Sequence, residues 1–246
     1  MHRSLKLVTA AALLLAVLVI PLHAEEIQIR TTDGVLLRGT WRAAEGGGER
    51  TALLLHMLGR TRADFEPLAA ELLAQGISSF AIDFRGHGES VKQAGSEAVL
   101  NYREFDHLTW PGILKDVAPA IQFIESKGVT RSSITFVGGS IGANAAVIAA
   151  SGDRQVRAAV LLSPGMDYRG LRIGDALDGW GNRPLLVLAT SGDTYSLSTA
   201  QKIRDRFAGQ NRVKVEIYPG QTAHGTELFT GVPGATKKIA DWIVAN

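Results

Sequence analysis

The sequence predicts an α/β fold, a mostly parallel eight-stranded sheet with helices on both faces and an N-terminal antiparallel hairpin. Three observations predict it. Glu25 to Ala44, "EEIQIRTTDGVLLRGTWRAA", alternates at period two around a Thr-Asp-Gly turn, as a hairpin does. Short continuous apolar runs such as "TALLLHM" (Thr51–Met57) and "RAAVLLSP" (Arg157–Pro164) suit strands buried on both faces. Those runs alternate with segments of helical spacing, the pattern of a parallel sheet covered on both sides.

The elements follow in order. After the hairpin, "EGGGER" is a polar turn, and "TALLLHM" is the first buried strand. "DFEPLAAELLAQG" places Phe65, Leu68 and Leu72 on one helical face and stops at Gly76. "ISSFAID" is a strand, and Leu108 to Gly128, "LTWPGILKDVAPAIQFIESKG", is expected to be one amphipathic helix carrying Ile113, Leu114, Val117, Ile121 and Ile124 on one side. "SSITFVGG" (strand), "SIGANAAVIAASG" (helix) and "RAAVLLSP" (strand) come next, then a loop with one helical turn over Gly165 to Arg183. Strand "PLLVLATSG", helix "SLSTAQKIRDRFAG", strand "VKVEIYPG" and helix "ATKKIADWIVAN" complete the chain. No repeat, low-complexity tract or linker divides residues 25–246, which are expected to form one domain.

Residues 1–24 differ from the rest. "MHRSLK" is basic, Leu7 to Ile20 is apolar, and "PLHA" ends in alanine, the layout of an export signal cleaved after Ala24. The apolar run is shorter than the roughly 20 residues that span a bilayer, so a lasting membrane anchor is the weaker reading. Without this leader the 26 basic residues lose Arg3 and Lys6 and match the 24 acidic ones. No basic patch then remains to suggest nucleic acid. The chain has no cysteine, which excludes a thiol nucleophile and thiolate metal centres and suits an oxidising, periplasmic or extracellular compartment.

In open α/β sheets, sites form beyond the carboxyl ends of strands. Four segments there carry reactive groups. Ser140 stands in Gly138-Gly139-Ser140-Ile141-Gly142 between a strand and a helix. A serine at such an elbow is strained, and glycine two residues away on each side removes the Cβ that would collide with the turn. Asp193 follows "LLVLATSG", where it would serve as a catalytic acid or as a helix cap. His224, between Ala223 and Gly225, follows "EIYPGQT". The chain order Ser140, Asp193, His224 is one of the known orders of a nucleophile–acid–base triad. The turn after "LLLH" offers backbone N–H groups for an oxyanion, with Ile141 as one candidate donor and Leu58 as the other.

These segments resemble the α/β-hydrolase superfamily over essentially all of residues 25–246. "GGSIG" resembles its nucleophile elbow, "DFRGHGES" (Asp83–Ser90) its loop after the fourth strand, and "SGD" and "AHG" its acid and histidine loops. One departure is that Met57 stands where the family often has the first glycine of His-Gly-x-Gly. The resemblance implies a serine hydrolase needing no metal or organic cofactor. Its expected substrate is a small-molecule ester with a short acyl chain, because Ser163 to Arg183 is too short for a folded lid. A peptidase, a thioesterase or a non-catalytic binding protein on the same scaffold are the alternatives. Met57 and His87 are expected to line the substrate pocket, Asp83 and Arg85 to hold their loop by hydrogen bonds and an ion pair, and His107 to pack at the surface beside Trp110. Asp167 and Asp175 are rival acids.

Overall fold

The computed structural model describes residues 24–47 and 50–246, so the leader read from residues 1–24 lies, apart from Ala24, outside the described residues. Ala24–Arg30 (β1) and Val35–Arg42 (β2) form the antiparallel hairpin, with Ile27 opposite Gly39 and Ile29 opposite Leu37. Then come Thr51–Leu55 (β3), Glu66–Ala74 (α1), Ser78–Ile82 (β4), the short Lys92–Gln93 (β5), Val117–Ser126 (α2), Ile134–Gly139 (β6), Ile141–Gly152 (α3) and Ala158–Leu162 (β7). A second, two-stranded ribbon of Asp167–Tyr168 (β8) and Leu171–Arg172 (β9) leads to Gly174–Asp178 (α4). Leu185–Thr190 (β10), Thr194–Arg206 (α5), Val213–Tyr218 (β11), Leu228–Gly231 (α6) and Ala235–Ala245 (α7) complete the chain.

The main sheet runs β1-β2-β4-β3-β6-β7-β10-β11, with β5 added beside the start of β2. From β4 to β11 every neighbouring pair is parallel. Successive residues of the inner strands feed opposite faces, as a period of two requires. Leu53 and Leu55 of β3 and Phe136 of β6 join one core with α2, α3 and α5 residues such as Ile121, Ala146 and Ile203. Ala52 and Leu54 of β3 and Val137 of β6 join the other with Leu68 and Leu72 of α1 and Ile239 and Ile243 of α7. Both faces are therefore covered, which is why these strands read as unbroken apolar runs.

Two differences from the sequence reading have local causes. The segment read as one helix starts as a 3₁₀ stretch, Trp110–Asp116, and becomes α-helical only at Val117. Pro119 explains the break, because it lacks an N–H and its ring opposes the carbonyl four residues earlier. Starting α2 at Val117 places Pro119 in the first turn, where no donor is needed. The Gly165 to Arg183 loop has more structure than one helical turn, since the ribbon β8–β9 precedes α4. No helix among the described residues is long and apolar enough to cross a membrane.

β3 has β4 on one side and β6 on the other, so the chain's direction of travel across the sheet reverses there. The carboxyl ends of β3 and β6 thus flank a crevice at a topological switch point, the usual place for a ligand in such sheets.

Candidate active site

Ser140 is the residue between β6 and α3, with φ 53° and ψ −118°. That backbone conformation is rare for a residue with a side chain and costs on the order of 1–3 kcal/mol. The flanking glycines make the elbow possible. A Cβ at Gly138 would sit 2.1 Å from the Gly142 carbonyl oxygen, and one at Gly142 would sit 2.2 Å from the Leu55 carbonyl oxygen. The Ser140 N–H donates to the Leu162 carbonyl at 2.8 Å, pinning the turn to the end of β7.

Two further strand ends bring in the acid and the imidazole. Thr190 at the end of β10 lies opposite Tyr218 at the end of β11. The loops beyond them are stitched together: Ser191 N–H donates to Tyr218 at 3.0 Å and Gly192 N–H to Gln221 at 2.8 Å. The Thr190 hydroxyl donates to the Ala223 carbonyl at 2.9 Å. The Glu227 carboxylate accepts the His224 N–H at 3.1 Å. With its backbone fixed in this way, His224 places Nδ1 2.6 Å from Asp193 Oδ2 and Nε2 2.8 Å from Ser140 Oγ. Nδ1 faces a carboxylate and so carries the proton, which leaves Nε2 as acceptor for the Ser140 hydroxyl. Burial pushes the Asp193 carboxyl up, but hydrogen bonds from His224 and Ser196 outweigh it and hold the group below its ordinary value. Asp193 is a helix cap as well as the partner of His224, because its other oxygen accepts the Ser196 N–H of α5 at 3.4 Å. The rival acids lie elsewhere: Asp167 binds Gly170 N–H and Arg172, and Asp175 opens α4.

The turn after β3 is held by His56, which is fully buried. Its Nδ1–H donates to the Met57 carbonyl at 2.8 Å and its Nε2 accepts the Phe84 N–H at 2.9 Å. Burial lowers the His56 pKa to about 4, so the ring is neutral and both nitrogens are satisfied. The Met57 carbonyl also accepts the Arg60 N–H at 3.2 Å. In a trans peptide the C=O and the following N–H point in opposite directions. Anchoring the Met57 carbonyl therefore turns the Leu58 N–H the other way. Met57, Leu58, Ser140, Ile141 and His224 line one pocket of about 340 Å³. Ile141 opens α3, so its N–H is one of the free donors at a helix N-terminus.

His87 does not line this pocket. It is only 2% exposed, with its ring stacked on Tyr102 at 4.0 Å and beside His56 at 5.0 Å, and Nδ1 on the Arg85 carbonyl at 3.1 Å. Burial, then the neighbouring His56, lowers the His87 pKa to about 4. Asp83 and Arg85 do hold the loop, but in two separate pairs. Asp83 accepts the Arg62 and Glu89 N–H groups at 2.7 and 3.0 Å and pairs with the Arg62 guanidinium. Arg85 binds Asp116 and Asp33. His107 is exposed.

The sequence reading missed two residues of the pocket wall, Tyr168 and Arg169, at the tip of the β8–β9 ribbon. The Tyr168 ring stands edge-on to His224 with centroids 6.2 Å apart, and its hydroxyl lies 3.2 Å from Ser196 Oγ. Two-residue strands carry no periodicity, so only the tyrosine-arginine-glycine turn itself was available as a signal. Among the described residues no group of three or more His, Cys, Asp or Glu side chains is arranged to hold a metal ion.

The fold and the residues at its strand ends define an α/β-hydrolase, a serine hydrolase of that superfamily. More particularly, residues 49–217 match the family model described as serine aminopeptidase, S33, and the chain belongs to that family. The match includes Ser140 and Asp193 and ends before His224. Among solved structures, an esterase of Pyrococcus furiosus is similar at 17% identity and TM-score 0.70, covering 91% of each chain. An α/β hydrolase from Novosphingobium aromaticivorans is similar at 17% identity and TM-score 0.68, covering 91% of this chain and 99% of the other. A dienelactone hydrolase from Anabaena variabilis shares 18% identity at TM-score 0.64, covering 89% and 94%. At these identities the likeness is one of fold. No curated protein matches the chain significantly.

Proposed function

We propose that this hydrolase cleaves small carboxylic esters with short acyl chains through an acyl-enzyme on Ser140. The observation that carries the reading is the continuous hydrogen-bonded chain from Ser140 Oγ through His224 to Asp193. As Oγ attacks the ester carbonyl, its proton passes to His224 Nε2, and Asp193 stabilises the imidazolium that results. The carbonyl oxygen becomes an anion facing the Leu58 and Ile141 N–H groups, with the N-terminus of α3 behind them. Collapse of this intermediate expels the alcohol, which takes the proton from His224. Water then gives a proton to the same nitrogen and attacks the acyl group, and the acid departs as Ser140 regains its hydrogen.

A pocket of about 340 Å³ supports a small acyl group. The family's description raises an aminopeptidase. A substrate's terminal ammonium needs an acidic receptor, yet the pocket lining contains Arg169 and no carboxylate. That lining favours esters. The basic, apolar and Pro-Leu-His-Ala segments of residues 1–24 support action outside the cytoplasm.

The test is hydrolysis of p-nitrophenyl esters of increasing acyl length by the wild type and by Ser140→Ala. Turnover of acetate and butyrate esters that is lost in the variant is the expected result. Equal rates in the two proteins would remove Ser140 from the chemistry, and turnover only of peptides would replace the ester reading.

A further inference from the structure

Arg169 stands in a conformation that arginine rarely adopts. It and Gly170 are the two residues between β8 and β9, with φ 54° and 88°. Positive φ at both loop residues is the geometry of a tight hairpin turn that favours Asn-Gly. An arginine there is strained, and strain of this kind concentrates at functional positions. Nothing within the ribbon compensates its charge. The neighbouring Asp167 carboxylate is occupied, with Oδ1 on the Gly170 N–H at 2.8 Å and Oδ2 on Arg172 at 3.0 Å. Among the described residues no carboxylate lies within ion-pair distance of Arg169.

Its position gives that free charge a use. Arg169 and Leu58 line the pocket at Ser140, and the same two residues line an adjoining pocket of about 260 Å³. Tyr102, Phe105 and Trp110 supply the aromatic walls of this second space, and Arg103 a second guanidinium. The Arg169 guanidinium lies 5.7 Å from the Trp110 ring centroid. Arg169 and Leu58 therefore form a saddle between the nucleophile and an aromatic groove.

We propose that Arg169 is a specificity-determining residue that binds a carboxylate carried by the substrate, making the preferred substrates half-esters of dicarboxylic acids or similar ester acids. This inference rests on the ester reading above and names its substrate class. A guanidinium presents paired donors that match the two oxygens of a carboxylate. The carboxylate is preferred to a phosphate because, among the described residues, Arg169 is the only lysine or arginine lining the pocket that holds Ser140, Arg103 standing in the adjoining groove, so a single negative charge is matched there and a dianion is not.

The experiment compares wild type, Arg169→Lys and Arg169→Asn in hydrolysis of monomethyl glutarate and monomethyl adipate against the corresponding dimethyl esters, read by acid release. It also measures binding of monomethyl adipate to Ser140→Ala, with and without Arg169→Asn, by calorimetry. Losing a charge-assisted pair is expected to lower the half-ester to diester ratio of kcat/KM by about 10- to 100-fold in Arg169→Asn, with half-ester binding weakened by a similar factor. Arg169→Lys, which keeps the charge but loses the paired donors, falls between. Arg169→Asn is expected to raise Tm, because asparagine suits the turn. That result would show that the lost specificity is not a folding defect.

A ratio unchanged in Arg169→Asn, or half-ester binding indifferent to it, would overturn the inference while leaving the hydrolase reading intact. Arg169-dependent binding of the half-ester without hydrolysis of any ester would overturn the ester reading, and leave Arg169 as a carboxylate site only. Tighter binding of phenyl phosphate than of monomethyl adipate would also overturn it.

Discussion

At Asp193 one carboxylate oxygen takes the Nδ1–H of His224 and the other takes the N–H of Ser196 at the start of α5. Substitutions can separate these two tasks. An asparagine in its place would still cap the helix, yet its amide group would turn the imidazole to the wrong tautomer. Asp193→Asn is therefore expected to reduce kcat by about 10⁴ with little change in stability. Asp193→Ala loses the cap as well, and its urea midpoint should correspond to a further loss of about 1 kcal/mol. Similar kcat values for Asp193→Asn and wild type would dismiss the acid's role. Gly142 is a sharper test of the elbow: an added Cβ would lie 2.2 Å from the Leu55 carbonyl oxygen. Gly142→Ala is expected to destabilise by about 3 kcal/mol or more, because backbone, and not a flexible side chain, must move. At this scale the sequence was most readable where the residue's neighbours in the chain define its environment. The two glycines around Ser140, together with their place between a strand and a helix, located the elbow. His87 was misread because its flanking glycines suggested an open loop, whereas the loop folds inward and stacks the ring under Tyr102.

The turn after β3 and the loop after β4 share a pH sensitivity. His56 and His87 both have pKa values lowered to about 4 from the ordinary 6.5, chiefly by burial. Between those values the unfolded chain binds protons at these rings and the folded chain does not. Stability from the two histidines is thus fully present above pH 7 and declines as the pH falls from about 6.5 towards 4. Each adds a slope of up to about 1.4 kcal/mol per pH unit. Urea midpoints at pH 7.5, 6 and 5 should fall accordingly. His87→Phe, which preserves an aromatic ring against Tyr102, should flatten the fall, and an unchanged slope would contradict the assignment. Most elements were legible from period and punctuation, since strands buried on both faces and helices stopped by glycine leave strong patterns. Two features were not. The 3₁₀ entry to α2 is set by Pro119 against a pattern that otherwise reads as continuous helix. The β8–β9 ribbon consists of two-residue strands, too short to show any period, and its place beside Ser140 is a matter of tertiary packing.

Across the whole molecule, Arg85 ties together parts distant in sequence. It donates to Asp33 in the β1–β2 turn at 2.8 and 3.0 Å and, from its own backbone and Nε, to Asp116 before α2 at 2.9 and 2.8 Å. Asp116 is fully buried, so removing the arginine strands its charge. Arg85→Met is expected to cost about 3–5 kcal/mol, and Arg85→Met with Asp116→Leu much less. Additive losses in the double variant, measured by denaturation, would mean that the two groups do not act as a pair. The architecture was legible as a whole because the alternation of strand and helix is a property of the entire chain. The partnership of Arg85 with Asp33 and Asp116 was not, since nothing local links those positions. The same dispersal governs the site. Its turn at His56, its elbow at Ser140 and its base at His224 hang from different strands, and the acid and base loops are sewn to each other only once β10 and β11 lie side by side. On the proposed mechanism these parts act only together, so activity requires β10 and β11 to be seated side by side. Hydrolysis would then report that these distant strand ends have assembled.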